Sequence, residues 1–115
     1  NFLLTQPVFD VSQAKGFLRD FEAEHGAVEI PILVGILPLV TDRHARFLHN
    51  DVPGITIPEP IQQQMVQAVD PAKEGEKIAI DLIESLRADF QGIYFMPAFN
   101  RFDMVADIIE AVKDR

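Results

Sequence analysis

A chain of 115 residues that is 48% hydrophobic carries enough apolar material for one modest domain, which excludes a solvated, disordered polypeptide. Eighteen acidic against ten basic residues leave a formal charge of −8, so the balance argues against a nucleic-acid partner. With no cysteine there are no disulfides, zinc thiolates or iron–sulfur clusters, and a reducing, cytoplasmic setting is expected.

The first apolar stretch, residues 1–6, predicts a strand that Pro7 ends, because proline donates no ladder hydrogen bond. A chain at full strand amplitude from Asn1 onward is expected to be a piece of a longer protein. Asp10 or Ser12 caps a helix over 11–25, with Val11, Ala14, Phe17, Leu18 and Phe21 as its core stripe and Gly26 as its stop. Pro31 to Val40 is the longest nearly unbroken apolar run. It is too short for a bilayer, which takes about 20 residues, so no membrane partner is expected. Its lack of alternation predicts a strand over 31–37 buried on both faces.

Thr41 opens a short helix over 42–50 whose Ala45, Phe47 and Leu48 turn inward, and Asp51-Val-Pro-Gly54 is turn chemistry. Thr56-Ile-Pro-Glu59 reads as a capping box starting a helix that runs to about Ala68. Asp70-Pro71 starts a long helix over 71–89 that buries Ile78, Ala79, Leu82, Ile83 and Leu86. A third strand spans 92–96. Asn100 then caps a final helix over 101–113, with Val105, Ile108, Ile109 and Val112 inside.

Every strand-to-strand crossover in this order is helical, which predicts a parallel sheet. Three strands buried on both faces need more cover than these helices supply. A (β/α)8 barrel takes about 250 residues, so the expected fold is α/β, a partial TIM barrel of three parallel strands with covering helices. The uncovered face calls for the remainder of a barrel or another copy of the chain, and a homo-oligomer is expected.

Ligands of parallel α/β folds gather at the carboxyl ends of the strands. Gln6 falls there, and an amide that donates and accepts suits a heterocycle with mixed edges, or else bonds a neighbouring loop. Gly35 inside a buried strand implies close approach, of a ring or another chain, or tight packing within a barrel. Arg101 beside the Asn100 cap pairs a cation with a helix N-terminus, a combination that holds carboxylate or phosphate, although a lone arginine is also ordinary surface chemistry. Arg43 and His44 face the same mouth. His25 and His49 show no partner, and the three histidines have no metal spacing, so no metal is expected.

Leu4-Thr-Gln-Pro-Val-Phe-Asp10, Pro31-Ile-Leu-Val-Gly-Ile-Leu-Pro38 and Phe99-Asn-Arg101 resemble the last three strand–helix units of methylenetetrahydrofolate reductases. That family is a flavin-dependent (β/α)8 barrel reducing 5,10-methylenetetrahydrofolate to 5-methyltetrahydrofolate. The stretches 44–58 and Tyr94 to Arg101 resemble more closely the reductase half of bifunctional homocysteine S-methyltransferase/methylenetetrahydrofolate reductases. The resemblance implies that residues 1–115 are the C-terminal portion of such a barrel domain. It implies FAD in the complete barrel, NAD(P)H as reductant and a folate substrate, with hydride passing from nicotinamide to flavin to folate. Gln6 and Arg101 match substrate-contacting positions. His44 and Leu48 fall where relatives carry glutamine and phenylalanine, and Pro97 where some carry tyrosine. The family's catalytic acid and most of its flavin ligands match nothing in this segment, so the isolated chain is expected to be inactive. The alternative reading is a non-catalytic, self-associating partial barrel or folate-binding module.

Overall fold

A computed structural model describes residues 2–26 and 31–113, so Asn1 of the first expected strand lies outside the described residues. The elements are β1 (Leu3–Pro7), α1 (Val11–His25), β2 (Ile32–Ile36), α2 (Asp42–Asp51), α3 (Glu59–Gln67), α4 (Pro71–Leu86), β3 (Gly92–Phe95) and α5 (Phe102–Val112), with a short 3-10 turn at Ala98–Asn100. The strands form one parallel sheet in the order β1-β2-β3, the α/β arrangement expected of part of a TIM barrel.

The central strand separates the two faces of that sheet. Ile32, Val34 and Ile36 point to the helical side and are almost completely buried, in one cluster with Ile78, Ala79, Leu82, Ile83 and Leu86 of α4 and Ala45 and Leu48 of α2. Leu33 and Leu37, on the other face, are only half-buried. Burial on both faces, read from the continuous run, is therefore corrected to burial on one. A three-stranded arc has no opposing strands to fill its concave side.

What covers that side at its centre comes from β3. A Cβ added at Gly35 would meet Met96 Cε at 2.8 Å and the Tyr94 hydroxyl oxygen at 2.9 Å, so the close approach implied by this glycine is made by a ring of the chain itself. The Tyr94 hydroxyl donates to the Thr5 carbonyl. The β1–β2 register slips between Leu4 and Pro7, and there Thr5 Oγ1 accepts the Gly35 N–H at 3.0 Å. A bulge thus places Thr5 where its side chain substitutes for a ladder partner and its carbonyl receives the tyrosine.

Local expectations meet the structure unevenly. Asp10, Thr41 and Asp70 cap α1, α2 and α4 through their side chains as the sequence indicates. The capping box at Thr56 does not form. Pro58, with ψ 144, stays extended and α3 starts at Glu59 without a side-chain cap. Instead Ile57 N–H donates to His49 Nδ1 at 3.0 Å, giving that histidine the partner its sequence context hid. Asn100 does not cap α5 either. It and Phe99 take left-handed backbone (φ 59 and 54), so Arg101 occupies the cap position without a side-chain bond. In α5 the buried positions are Met104 and Ile108, whereas Ile109 is exposed. α1 buries no residue fully: Val11, Ala14 and Leu18 pack partly buried against the core, and Phe17, beside the edge strand β1, stays exposed.

One contact of α4 sets its position. A Cβ at Gly75 would overlap the backbone oxygen of Leu39, in the segment joining β2 to α2. Gly75→Ala gains about 1 kcal/mol of helix propensity, but a backbone oxygen cannot turn aside as a side chain could. The expected outcome is a net loss of about 1–3 kcal/mol, measured as a lower urea midpoint with an unchanged slope.

Candidate functional site

The carboxyl ends of β2 and β3 open into a hollow of about 570 Å³ lined by Leu37, Thr41, Arg43, His44, Phe47 and Phe99, together with Ala98. Its floor is apolar and its polar groups come from the first turn of α2. Thr41 Oγ1 accepts the His44 N–H at 3.0 Å, which starts the helix and aims residues 43 and 44 at the hollow.

His44 is the informative side chain. It is 8% exposed, and its Nδ1 accepts the Val40 N–H at 3.2 Å. That bond puts the proton of the neutral ring on Nε2. Burial pushes the imidazole below its usual value of 6.5, so the ring is neutral at pH 7 and presents an N–H donor. Nε2 has no partner among the described residues, and no buried side-chain nitrogen there is both sealed and unbonded, so Nε2 opens to the hollow that the ring lines.

Phe99 stands against that ring edge-on, centroids 5.1 Å apart and planes at 63°. It is 72% exposed and holds left-handed backbone, which costs a residue with a Cβ about 1–2 kcal/mol. Phe47, expected inside, is 55% exposed and lines the hollow, while His44 takes the buried position. Sequence spacing failed here because a polar residue replaced an apolar one on the inward stripe of α2. The signal that could have found Phe99 is an aromatic residue two positions after Pro97, beyond the end of the last strand.

Of the four side chains expected to touch substrate, only His44 lines this hollow. Leu48, one turn further along α2, is 6% exposed and belongs to the core. Gln6 is exposed rather than buried, because β1 is an edge strand. Its side chain lies against Gly54, where a Cβ would come within 2.5 Å of Oε1. It lines a separate apolar groove of about 450 Å³ with Leu3, Leu4, Phe17, Val34 and Phe90. Arg101 is held by Asp103 in a two-point pair, Nε and Nη2 each 3.0 Å from a carboxylate oxygen. That bond raises the guanidinium and lowers the Asp103 carboxyl. Glu76 and Asp70 add to the negative field around Arg101. Glu76 itself is buried, and burial, reinforced by Asp107, pushes its carboxyl up while Lys73 opposes the shift.

Among the described residues no group of three or more histidine, aspartate or glutamate side chains could hold a metal, and no helix is long and apolar enough to cross a membrane. On the segment's interior surface the space over Gly35 is taken by Tyr94 and Met96.

A family model described as methylenetetrahydrofolate reductase matches residues 1–113. Among solved structures, an uncharacterized protein from Clostridium thermocellum that binds two copies of 5-methyl-5,6,7,8-tetrahydrofolic acid superposes with a TM-score of 0.68. The match covers 98% of this chain and 42% of that one at 18% identity, a likeness of fold. The chain thus spans less than half the length of that relative. No curated protein matches it.

The burial of His44 has a direct consequence for acid stability. The folded ring binds its proton less readily than the unfolded one, so its contribution is complete above about pH 6.5 and is lost as pH falls below that value. In an NMR titration the His44 ring should change charge below 6.5. The stability lost on acidification should be smaller in His44→Gln than in the parent chain.

Proposed function

The chain belongs to the methylenetetrahydrofolate reductase family, and on that premise we propose that it forms the folate-facing side of a reductase site that is complete only in a whole barrel. The observation that carries the reading is the hollow at the carboxyl ends of β2 and β3, where the Phe99 ring stands beside the His44 donor. A face for a flat ring with one fixed hydrogen-bond donor suits a reduced pterin or the aminobenzoyl ring attached to it. The solved relative that binds 5-methyltetrahydrofolate supports the same ligand class. In this reading His44 donates to the bound ligand, and Phe99 and Phe47 exclude water from its rings.

Gln6 and Arg101 enter the proposal with different roles. Gln6 would reach the site only by turning from Gly54, and Arg101 only by exchanging Asp103 for a ligand carboxylate. Leu48 contributes by seating α2 rather than by contact. FAD and NAD(P)H belong to the proposal through family membership alone. The likeness of residues 44–58 and 94–101 to the bifunctional branch extends the proposal to a protein that also carries homocysteine S-methyltransferase. The cytoplasmic setting is proposed on the absence of cysteine.

A second reading has its own observation. Phe2, Leu4 and Phe17 are each more than half exposed along β1 and α1. An unpaired strand edge beside such a patch favours association, with the rest of a barrel or with another copy. Light scattering separates the readings, since a strictly monomeric solution species would remove the self-associating one.

Calorimetric titration with 5-methyltetrahydrofolate tests the first. Phe99→Ala should weaken binding about 3- to 10-fold, the worth of one aromatic contact, without lowering the melting temperature, because alanine at 99 keeps the backbone and loses only an exposed ring. Equal affinity in parent and variant would remove Phe99 from the site. The chain by itself should purify without visible flavin absorbance and should show no reductase activity; a stoichiometric yellow cofactor would contradict this division of labour.

A further inference from the structure

Arg43 stands where helix electrostatics disfavour a cation. It is in the first turn of α2, at the positive end of the helix dipole, and Arg46 lies one turn further on. Arg46 has a carboxylate, Asp42 Oδ2 at 3.2 Å. Arg43 has no ion-pair partner among the described residues, and it lines the hollow instead. Beside it, in the same turn, is the His44 ring, more than nine-tenths buried, with Nδ1 bonded to Val40 N–H and Nε2 unbonded. An exposed guanidinium, a buried imidazole donor and the free N–H groups of a ten-residue helix therefore converge on one wall of an otherwise apolar hollow.

We infer that Arg43 and His44 form an anion subsite, taking a carboxylate or phosphate oxygen of a ligand whose ring lies against Phe99. The inference rests on the folate reading and deepens it. Arg101 does not compete for the role, since Asp103 already occupies two of its donors. The glutamyl carboxylates of a folate and the phosphates of a nicotinamide dinucleotide share the required chemistry. Two distinct donors on one wall fit either oxyanion.

The test uses the whole chain and three probes: 5-methyltetrahydrofolate, its analogue with the glutamate replaced by a neutral amide, and NADH. Arg43→Gln should weaken 5-methyltetrahydrofolate about 3- to 10-fold at low salt. The difference should shrink as salt rises, and the amide analogue should bind both proteins alike. The His44 Nε2–H resonance should shift with the acid and not with the amide. Loss confined to NADH would support the same subsite with the dinucleotide phosphate as its anion. Because Arg43→Gln removes a disfavoured cation, the melting temperature should not fall. If 5-methyltetrahydrofolate and NADH each bind parent and variant equally, the inference fails while the folate reading stands. If no probe binds, both fail.

Discussion

The contact between Gly75 and the Leu39 carbonyl is the constraint on which the mouth of this fold depends. Only a residue without a Cβ lets α4 approach the chain as it leaves β2. With α4 seated there, its apolar face closes over Ile32, Val34 and Ile36, and the segment Pro38–Val40 is held against it. One donor ends that held segment and one acceptor follows it: Val40 N–H, which fixes the His44 ring, and Thr41 Oγ1, which starts α2. The orientation of the imidazole is thus inherited, through three short links, from a missing methyl group on a different helix. A burial worth about 1.5–3 kcal/mol per large apolar side chain supplies the force. The glycine supplies the geometry.

Charge is distributed around the strand ends with a clear asymmetry. On the α5 side, Arg101 is surrounded by Asp103, Glu76 and Asp70, and its field is largely spent within the protein. On the α2 side the cation faces open space. A chain of net charge −8 concentrates its acids on helix faces, where water solvates them. Attraction for an anion therefore comes from one local arrangement rather than from the overall field.

What could be read from the sequence divides along physical lines. Elements set by local rules were legible. Helix starts with an aspartate or threonine cap, the apolar stripe of α4 and the parallel order of the strands all stand where pattern and capping place them. Features decided by distant partners were not. The continuous run of β2 gave no sign that one face would stay half open, because apolar residues look alike whether or not a partner arrives. Phe47, expected inside, is exposed at the hollow, while His44 is buried against the Phe99 ring, a partner distant in the chain. Gly35 signalled a close approach without saying whose, and Gly75 gave no signal within a helix whose stripe was otherwise regular. Asn100 is a good cap by type, yet the turn after Pro97 needed left-handed backbone there, which asparagine also tolerates.

The hydrogen bond from Tyr94 to the Thr5 carbonyl joins residues 89 positions apart and crosses over β2 to do so. It makes β1 and β3, which are not neighbours in the sheet, answerable to each other. In a chain whose helices can form from local contacts, such a tie closes nearly the whole polypeptide into one loop, and the entropy of that closure must be met before the bond returns anything. The chain has one tyrosine and no tryptophan, so the group that closes the loop is also its principal ultraviolet chromophore. The arrival of β3 across the arc, a long-range pairing, can therefore be followed through the absorbance of that one ring.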